Sequence, residues 1–403
     1  MREHVSYGTA RTLAAEAVRP VETELLCLED CAGRVLGQEV TAAEDVPAFD
    51  RSPYDGYAFR AGDVQKAADG PVVLRVVEEI PAGGVPHRAI TAGTAAKVLT
   101  GAPIPMGADA VVKYEDTKYT AEQVEIFLPA YPGQNIVRAG EDVRAGTVLA
   151  HSGAVIDPGL AGTLAAQGLS RVWVHRVPKV GLISTGSELA EVGEPLTSGK
   201  IYNTSRYALT AALKALGCAT VWLGCARDDA EAIRLLIEAG LGSCDALVLT
   251  GGASRGSYDL TPAAMELSGA ELLFRGVDFK PGMACAYAVR EGKLLCGLSG
   301  NPAAALTNFY LVALPALKRL AGRRDYLPRE LTVALTKRFP KASPMNRVLR
   351  GKLALSRGRV EMDLPEGQGN AVLSSAAGCD VLAVIPAGSG PVPAGAELKG
   401  FLI

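Results

Sequence analysis

The chain has 403 residues, too long for one compact core, and its 48% apolar and 21% charged content marks an ordered globular protein. Lys and Arg number 41 against 43 Asp and Glu, a net charge of −2, which speaks against a general nucleic-acid binder. Met1 to Leu13 has no apolar signal core and no apolar run approaches about 18 residues, so no membrane segment is expected and the reading is cytoplasmic.

In chain order, the first dense stretch runs from Asp45 to Ala58, where acids and turn residues surround Tyr54-Asp55-Gly56-Tyr57. Either the loop packs its two tyrosines against its own domain, or it presents Asp55 for function. Phe49 to Pro132 is rich in Gly and Pro, with short alternating strands such as Ala108 to Tyr114, and reads as a small β domain; Val137 to Val177 continues in that style. From Lys179 to Gly322 strands and helices alternate. Strands are expected at Lys179–Ser184, Thr220–Ala226, Ala246–Thr250 and Lys293–Ser299, and helices at Ser205–Leu216, Leu260–Ser268 and Ala303–Ala321. Asp228 with Glu231 reads as a capping box for the helix that follows, and Pro315 should kink the last helix. The alternation implies a doubly wound, mostly parallel sheet. After Leu327-Pro328 the chain reads as all-β, with strands at Glu330–Phe339, Arg347–Leu355, Arg359–Leu364 and Val381–Pro386.

Three strand–turn–helix junctions carry the chemistry: Ser184-Thr185-Gly186-Ser187-Glu188, Thr250-Gly251-Gly252-Ala253-Ser254 and Ser299-Gly300-Asn301-Pro302. Asn301 is a good N-cap and Pro302 a good first helical residue. Ligands of such sheets bind beyond the carboxyl ends of the strands, and free backbone N–H groups there suit phosphate or another oxyanion. Asp259 reads equally as a helix cap or as a Mg²⁺ ligand beside phosphate, and Glu188 has the same double reading. Lys280, in Phe279-Lys280-Pro281-Gly282, is a solvated lysine by default and an oxyanion contact by position. The eight cysteines form no C-x-x-C and read as buried free thiols; the four histidines form no zinc pattern.

These segments carry a resemblance. Ser52-Pro53-Tyr54-Asp55-Gly56-Tyr57-Ala58, Leu99-Thr100-Gly101-Ala102-Pro103, Gly140-Glu141-Asp142-Val143, Ser184-Thr185-Gly186-Ser187-Glu188, Ile201-Tyr202-Asn203-Thr204, Thr250-Gly251-Gly252, Lys280-Pro281-Gly282 and Gly297-Leu298-Ser299-Gly300-Asn301-Pro302 are similar, in order, to the motifs of the MoeA family, the molybdopterin molybdenumtransferases. The resemblance implies a four-domain homodimer: residues 1–46 with 138–178 as an N-terminal helix and linking β domain, 47–137 as a small β domain, 179–327 as the doubly wound molybdopterin-binding domain, and 328–403 as a C-terminal β-barrel. It implies insertion of molybdate into adenylylated molybdopterin (molybdopterin-AMP), with Mg²⁺ and release of AMP. Molybdopterin adenylyltransferase and molybdoenzyme apoproteins are the implied protein partners; nucleic acid and membrane are not. Carried onto this sequence, Asp55, Thr100, Asp142, Glu188 and Asp259 are the catalytic candidates, and Glu188, Asp228 and Asp259 the metal candidates. Gly251, Gly252, Ser254, Lys280, Ser299, Gly300, Asn301, Pro302, Arg350 and Ser375 would bind the cofactor. Two family lysines are replaced, by Met283 and Pro262, while Arg255 supplies a cation in the glycine loop. The substitutions leave a second reading, a paralogue that binds a molybdopterin nucleotide as carrier or scaffold. A third is the adenylylating enzyme of the same pathway, which the extra β domains oppose.

Overall fold

The structure, a computed structural model, describes residues 2–252, 260–356 and 358–403. It divides into two compact units: Met1–Gln38, Ser152–Asp157 and Arg171–Ile403 form the larger, and Glu39–His151 with Pro158–Ser170 the smaller.

The larger unit is built on a seven-stranded sheet, in the order Arg2–Val5, Glu271–Val277, Cys285–Arg290, Lys293–Leu298, Ala246–Thr250, Lys179–Thr185 and Ala219–Ala226. Neighbours are parallel, except that Cys285–Arg290 runs antiparallel to both of its own. The central strands are continuous apolar runs because both faces are covered. Val180, Leu182, Val248 and Cys296 face one layer, with Leu209, Leu213, Phe309 and Leu317. Ile183, Leu247, Leu249 and Leu295 face the other, with Ile233, Ile237 and Met265. This period-two division is the doubly wound fold that the alternating pattern implies. The edge strand Arg2–Val5 is an addition that the polar N-terminus does not advertise; it pairs Arg2 with Phe274 and Val5 with Val277.

Two helix starts differ from expectation. The helix after Ala219–Ala226 begins at Ala230, and its cap is Asp229, which accepts from Glu231 N and Ala232 N. Asp228 is therefore released from capping. The last helix keeps Asn301 at the N-cap position and Pro302 as its first residue, but the Asn301 side chain makes no capping bond. It runs as Pro302–Asn308, a π-type turn Phe309–Ala313 and Leu314–Leu320. Pro315 has no N–H to give the Leu311 carbonyl one turn back. Arg11 Nε donates to that oxygen instead, at 3.1 Å.

Within the same unit, five strands close a barrel: Asn346–Ser356, Arg359–Asp363, Glu330–Leu335, Glu397–Leu402 and Val381–Ile385, the last pairing back to the first. Val333, Leu335, Leu349, Met362 and Ile385 fill it. The barrel packs on the helices of the sheet through Val348, Leu382, Val384 and Phe401. A short strand, Phe279–Lys280, pairs with Asn346 and Arg347.

The smaller unit carries a six-stranded mixed sheet, ordered Ala110–Lys113, Gly56–Phe59, Thr94–Val98, Val72–Ile80, Gln123–Ile126 and Thr117–Tyr119. Its core holds Tyr57, Phe59, Leu74, Val124 and Ile126 on one side and Ile80, Val98 and Val111 on the other. All eight cysteines are free; burial pushes the Cys218 and Cys285 thiols up to about 12, whereas Cys27 and Cys225 are exposed. No helix among the described residues is long and apolar enough to cross a membrane.

Candidate functional site

The three glycine turns end adjacent parallel strands, Lys293–Leu298, Ala246–Thr250 and Lys179–Thr185, so they stand side by side at one edge of the sheet. Gly251 N donates to Leu298 O at 3.1 Å, which ties the second turn to the third. Beneath them lies a layer of buried polar groups. Thr250 Oγ1 donates to Ser184 Oγ at 3.2 Å, Asn203 Nδ2 donates to Ser184 Oγ at 3.0 Å, and Thr185 Oγ1 donates to Thr250 O at 3.2 Å. Thr261 Oγ1 donates to Gly251 O at 2.8 Å. Every backbone group of a turn near the interior needs such a partner, and these hydroxyls fix the turns before any ligand arrives.

Gly251 is required here: its φ is +98°, and a Cβ would lie 2.4 Å from Thr185 O. Gly251→Ala is expected to lower unfolding free energy by about 1–3 kcal/mol and to disorder the lip of the site. Urea denaturation measures this, and unchanged stability would contradict the close approach.

Glu188 and Asp228 meet at the first turn. Asp228 Oδ2 accepts from Ser187 N at 3.1 Å and from Ser187 Oγ at 2.5 Å. The Glu188 carboxylate folds back over Gly186, where an added Cβ would lie 2.5 Å from Oε2. Lys200 Nζ donates to Ser187 O. Both carboxylates are exposed, and together with Glu191 they hold the neighbouring Cys225 thiol above its usual range, after the larger effect of burial. No group of three His, Cys, Asp or Glu side chains with metal-site spacing occurs among the described residues. Asp259, Ser254 and Arg255, which the sequence reading also brings to this site, lie outside the described residues.

Lys280 and Arg350 belong to the sheet of the barrel. Lys280 is exposed, at the end of its short strand. The turn after it is clamped to the last helix: Asn308 Nδ2 donates to Gly282 O at 2.8 Å, and Tyr287 Oη donates to Asn308 Oδ1 at 2.6 Å. Asn308 and Tyr287 hold this turn in place, which the sequence reading did not find; a buried Asn in an apolar helix is the signal that could have found the first. Met283 is half-buried, and its carbonyl accepts from Val277 N. Pro262 is buried in the first turn of Leu260–Leu267. Arg350 is 2% exposed, and burial lowers its pKa. Its Nη2 donates to Ser375 Oγ at 2.8 Å and to Gly369 O at 3.0 Å. Ser375 Oγ in turn donates to Val372 O at 2.7 Å. The pair expected to contact an oxyanion is thus first a brace for the Gly369–Ser375 loop. Arg350 Nη1 is the exception, buried with no partner among the described residues. The short helix Leu373–Ala376 that carries Ser375 packs against Pro302–Asn308.

In the smaller unit, Asp55 Oδ1 accepts from Thr100 N at 2.7 Å and Thr100 Oγ1 at 2.9 Å. These bonds, the backbone one first, hold the Asp55 carboxyl below its usual range. Tyr57 is buried and stacks on Tyr114 with centroids 5.8 Å apart, which is the core role weighed for it. Tyr54 is exposed, with Lys113 Nζ 4.5 Å from its ring centroid. Gly56 passes so close to the next strand that a Cβ would meet Val112 O at 1.9 Å, which explains the Asp-Gly. Asp142 is exposed and its N–H donates to Val46 O; no bond joins it to Asp55 or Thr100 among the described residues.

The comparisons with known proteins agree along the whole chain. Residues 5–168 match the MoeA N-terminal region (domain I and II), 181–319 a probable molybdopterin binding domain, and 332–400 the MoeA C-terminal region (domain IV). A Bacillus subtilis protein named molybdopterin molybdenumtransferase is 35% identical over 401 residues, covering 96% of this chain and 93% of its own. The chain belongs to the MoeA family. It is an enzyme family of molybdenum cofactor biosynthesis. A Staphylococcus aureus molybdopterin molybdenumtransferase is 34% identical over 92% of this chain and 88% of its own. Among solved structures, the molybdopterin biosynthesis MoeA protein of Pyrococcus horikoshii OT3 superposes with a TM-score of 0.85 at 31% identity, over 99% of this chain and all of that one. The MoeA assignment therefore rests on every region of the chain, and the fold is the multidomain α/β arrangement with a C-terminal barrel.

Proposed function

We propose that this chain transfers molybdenum to molybdopterin, taking molybdopterin-AMP and molybdate as substrates and releasing AMP, in the cytoplasm. The observation that carries the reading is the abutment of the Gly251 and Gly300 turns beside the carboxylates of Glu188 and Asp228. A Cβ on Gly300 would lie 3.5 Å from Gly251 Cα, so the two turns form one open lip. Backbone at such a lip can approach a pyrophosphate closely, with no side chain between.

Hard oxygen donors fit Mg²⁺. Asp228 has its Oδ2 engaged by Ser187 and keeps Oδ1 for an ion, and Glu188 lies at the same turn. Glu188, Asp228 and Asp259 would hold the cation, which when bound offsets the charge of the pyrophosphate. Ser187 N–H fixes the carboxylate of Asp228, and Lys200 fixes the turn that carries Ser187 and Glu188. Lys280 supplies an exposed cation for the tetrahedral oxyanion, and Arg350 Nη1 a buried donor without a partner among the described residues. Met283 and Pro262 stand where relatives in the resemblance have lysine, so molybdate affinity rests on fewer cations. Asp55, held in one rotamer by Thr100, acts in a homodimer in which it completes the partner's site. The four-part division at 46, 137, 178 and 327 is part of this reading; the separate sheets and the closed barrel support it.

The experiment is incubation of the purified protein with molybdopterin-AMP, Mg²⁺ and molybdate, with AMP followed by chromatography.

A further inference from the structure

We propose that the mouth of the C-terminal barrel is a second anion site, built for a phosphate-bearing small molecule. It is inferred without use of the transfer reaction described above. A cavity of about 320 Å³ opens there, lined by Lys337, Arg338, Phe339, Lys341, Arg347 and the Gly367-Gln368-Gly369 loop. Barrel mouths are recurrent ligand positions, and this volume suits a small ligand.

Alternation along the Asn346–Ser356 strand separates the mouth from the Arg350 face. Leu349 belongs to the barrel core, whereas Val348 packs toward the helices of the sheet. Arg347 shares the Leu349 side, and Arg350 shares the Val348 side. Arg347 is fixed in the mouth: its Nε donates to Ser343 Oγ at 3.2 Å, and its guanidinium carbon lies 5.5 Å from the Phe339 ring centroid. Its remaining guanidinium donors have no bond among the described residues.

The charge is one-sided. Lys337 is paired with Asp363 at 3.1 Å. Arg338, Lys341 and Arg347 have no carboxylate partner among the described residues, and no acid lines the cavity; Glu366 of the loop is exposed and is not part of the lining. Three like charges around one hollow repel each other unless an anion joins them. A phosphate or pyrophosphate with two or more negative charges fits that need, and Arg and Lys both recognise such groups. The opposite wall is preformed, because Gln368 Oε1 accepts from Arg350 N at 2.9 Å and its Nε2 donates to Arg350 O at 2.9 Å.

Equilibrium dialysis of labelled pyrophosphate and of labelled AMP tests the site, with the full chain, the Arg338→Glu/Lys341→Glu double variant and Lys280→Ala. Both reversed residues are exposed, so the fold should tolerate the change, and the single variant Lys341→Ala serves if it does not. Pyrophosphate binding should weaken at least tenfold in the double variant and leave one class of sites intact in Lys280→Ala. Loss of both ligands from the mouth assigns the terminal phosphoryl group as the unit recognised; loss of pyrophosphate alone assigns an inorganic polyphosphate. Unchanged binding of both ligands in the double variant and in Lys341→Ala overturns the proposal.

Discussion

Asp228→Asn is expected to cut AMP release about a hundredfold at fixed Mg²⁺ while the melting temperature stays within about 2 °C of the parent. Asparagine keeps an oxygen that can accept from Ser187 N and Oγ, so the turn stays braced. What it removes is the charge, and a cation beside pyrophosphate loses one of its hard anionic ligands; a hundredfold corresponds to about 2.7 kcal/mol of transition-state stabilisation. Asp228→Ala should lower both turnover and stability, since it also leaves Ser187 without its acceptor. The contrast separates the roles. Full activity in Asp228→Asn, with loss only in Asp228→Ala, would make Asp228 a turn brace and remove it from the metal set. Raising Mg²⁺ should partly restore Asp228→Asn and leave the stability deficit of Asp228→Ala untouched.

Asp55→Ala and Asp259→Ala should each be inactive alone, and an equal mixture of the two should regain about a quarter of parent turnover after subunit exchange. In a symmetric dimer whose sites each draw Asp55 from one subunit and Asp259 from the other, half of the molecules formed at random are mixed. Each mixed dimer holds one site with both changes and one site with neither. Thr100 supports this use of Asp55, since two hydrogen bonds orient its carboxylate in place. Sedimentation of the parent as a fully active monomer, or a mixture that stays inactive despite proven exchange, would contradict it.

The legible parts of the fold are those with a strong local cause. Apolar runs such as Ala246–Thr250 fix the central strands, because a strand covered on both faces needs an apolar residue at nearly every position. The glycine turns were legible for the same reason: only glycine tolerates the φ of Gly251 so close to Thr185. Capping was less so. Asp228-Asp229 offers two adjacent caps, and the choice of Asp229 depends on Ser187 engaging Asp228 from a turn some forty positions earlier. Arg2–Val5 has little strand signal, yet the unpaired edge of Glu271–Val277 recruits it. Glu397–Leu402 joins the barrel between Glu330–Leu335 and Val381–Ile385, a strand the sequence expectations do not include. Of the site, the resemblance supplied Glu188, Asp228, Lys280 and Arg350, and Asn203 only as part of a motif with no role given, but not the buried Thr261 and Asn308 that position the turns. Those act through partners distant in sequence, at separations that no local pattern records.

The most direct test of the central claim is stoichiometric: molybdopterin-AMP is incubated with the protein and Mg²⁺, with and without molybdate, and AMP and bound molybdenum are quantified together. The account predicts AMP release that depends on molybdate, one molybdenum bound to molybdopterin for each AMP formed, and loss of both in Asp228→Asn. Tight binding of molybdopterin-AMP with no AMP formed at any molybdate concentration would contradict it, and would identify the chain as a carrier of the nucleotide.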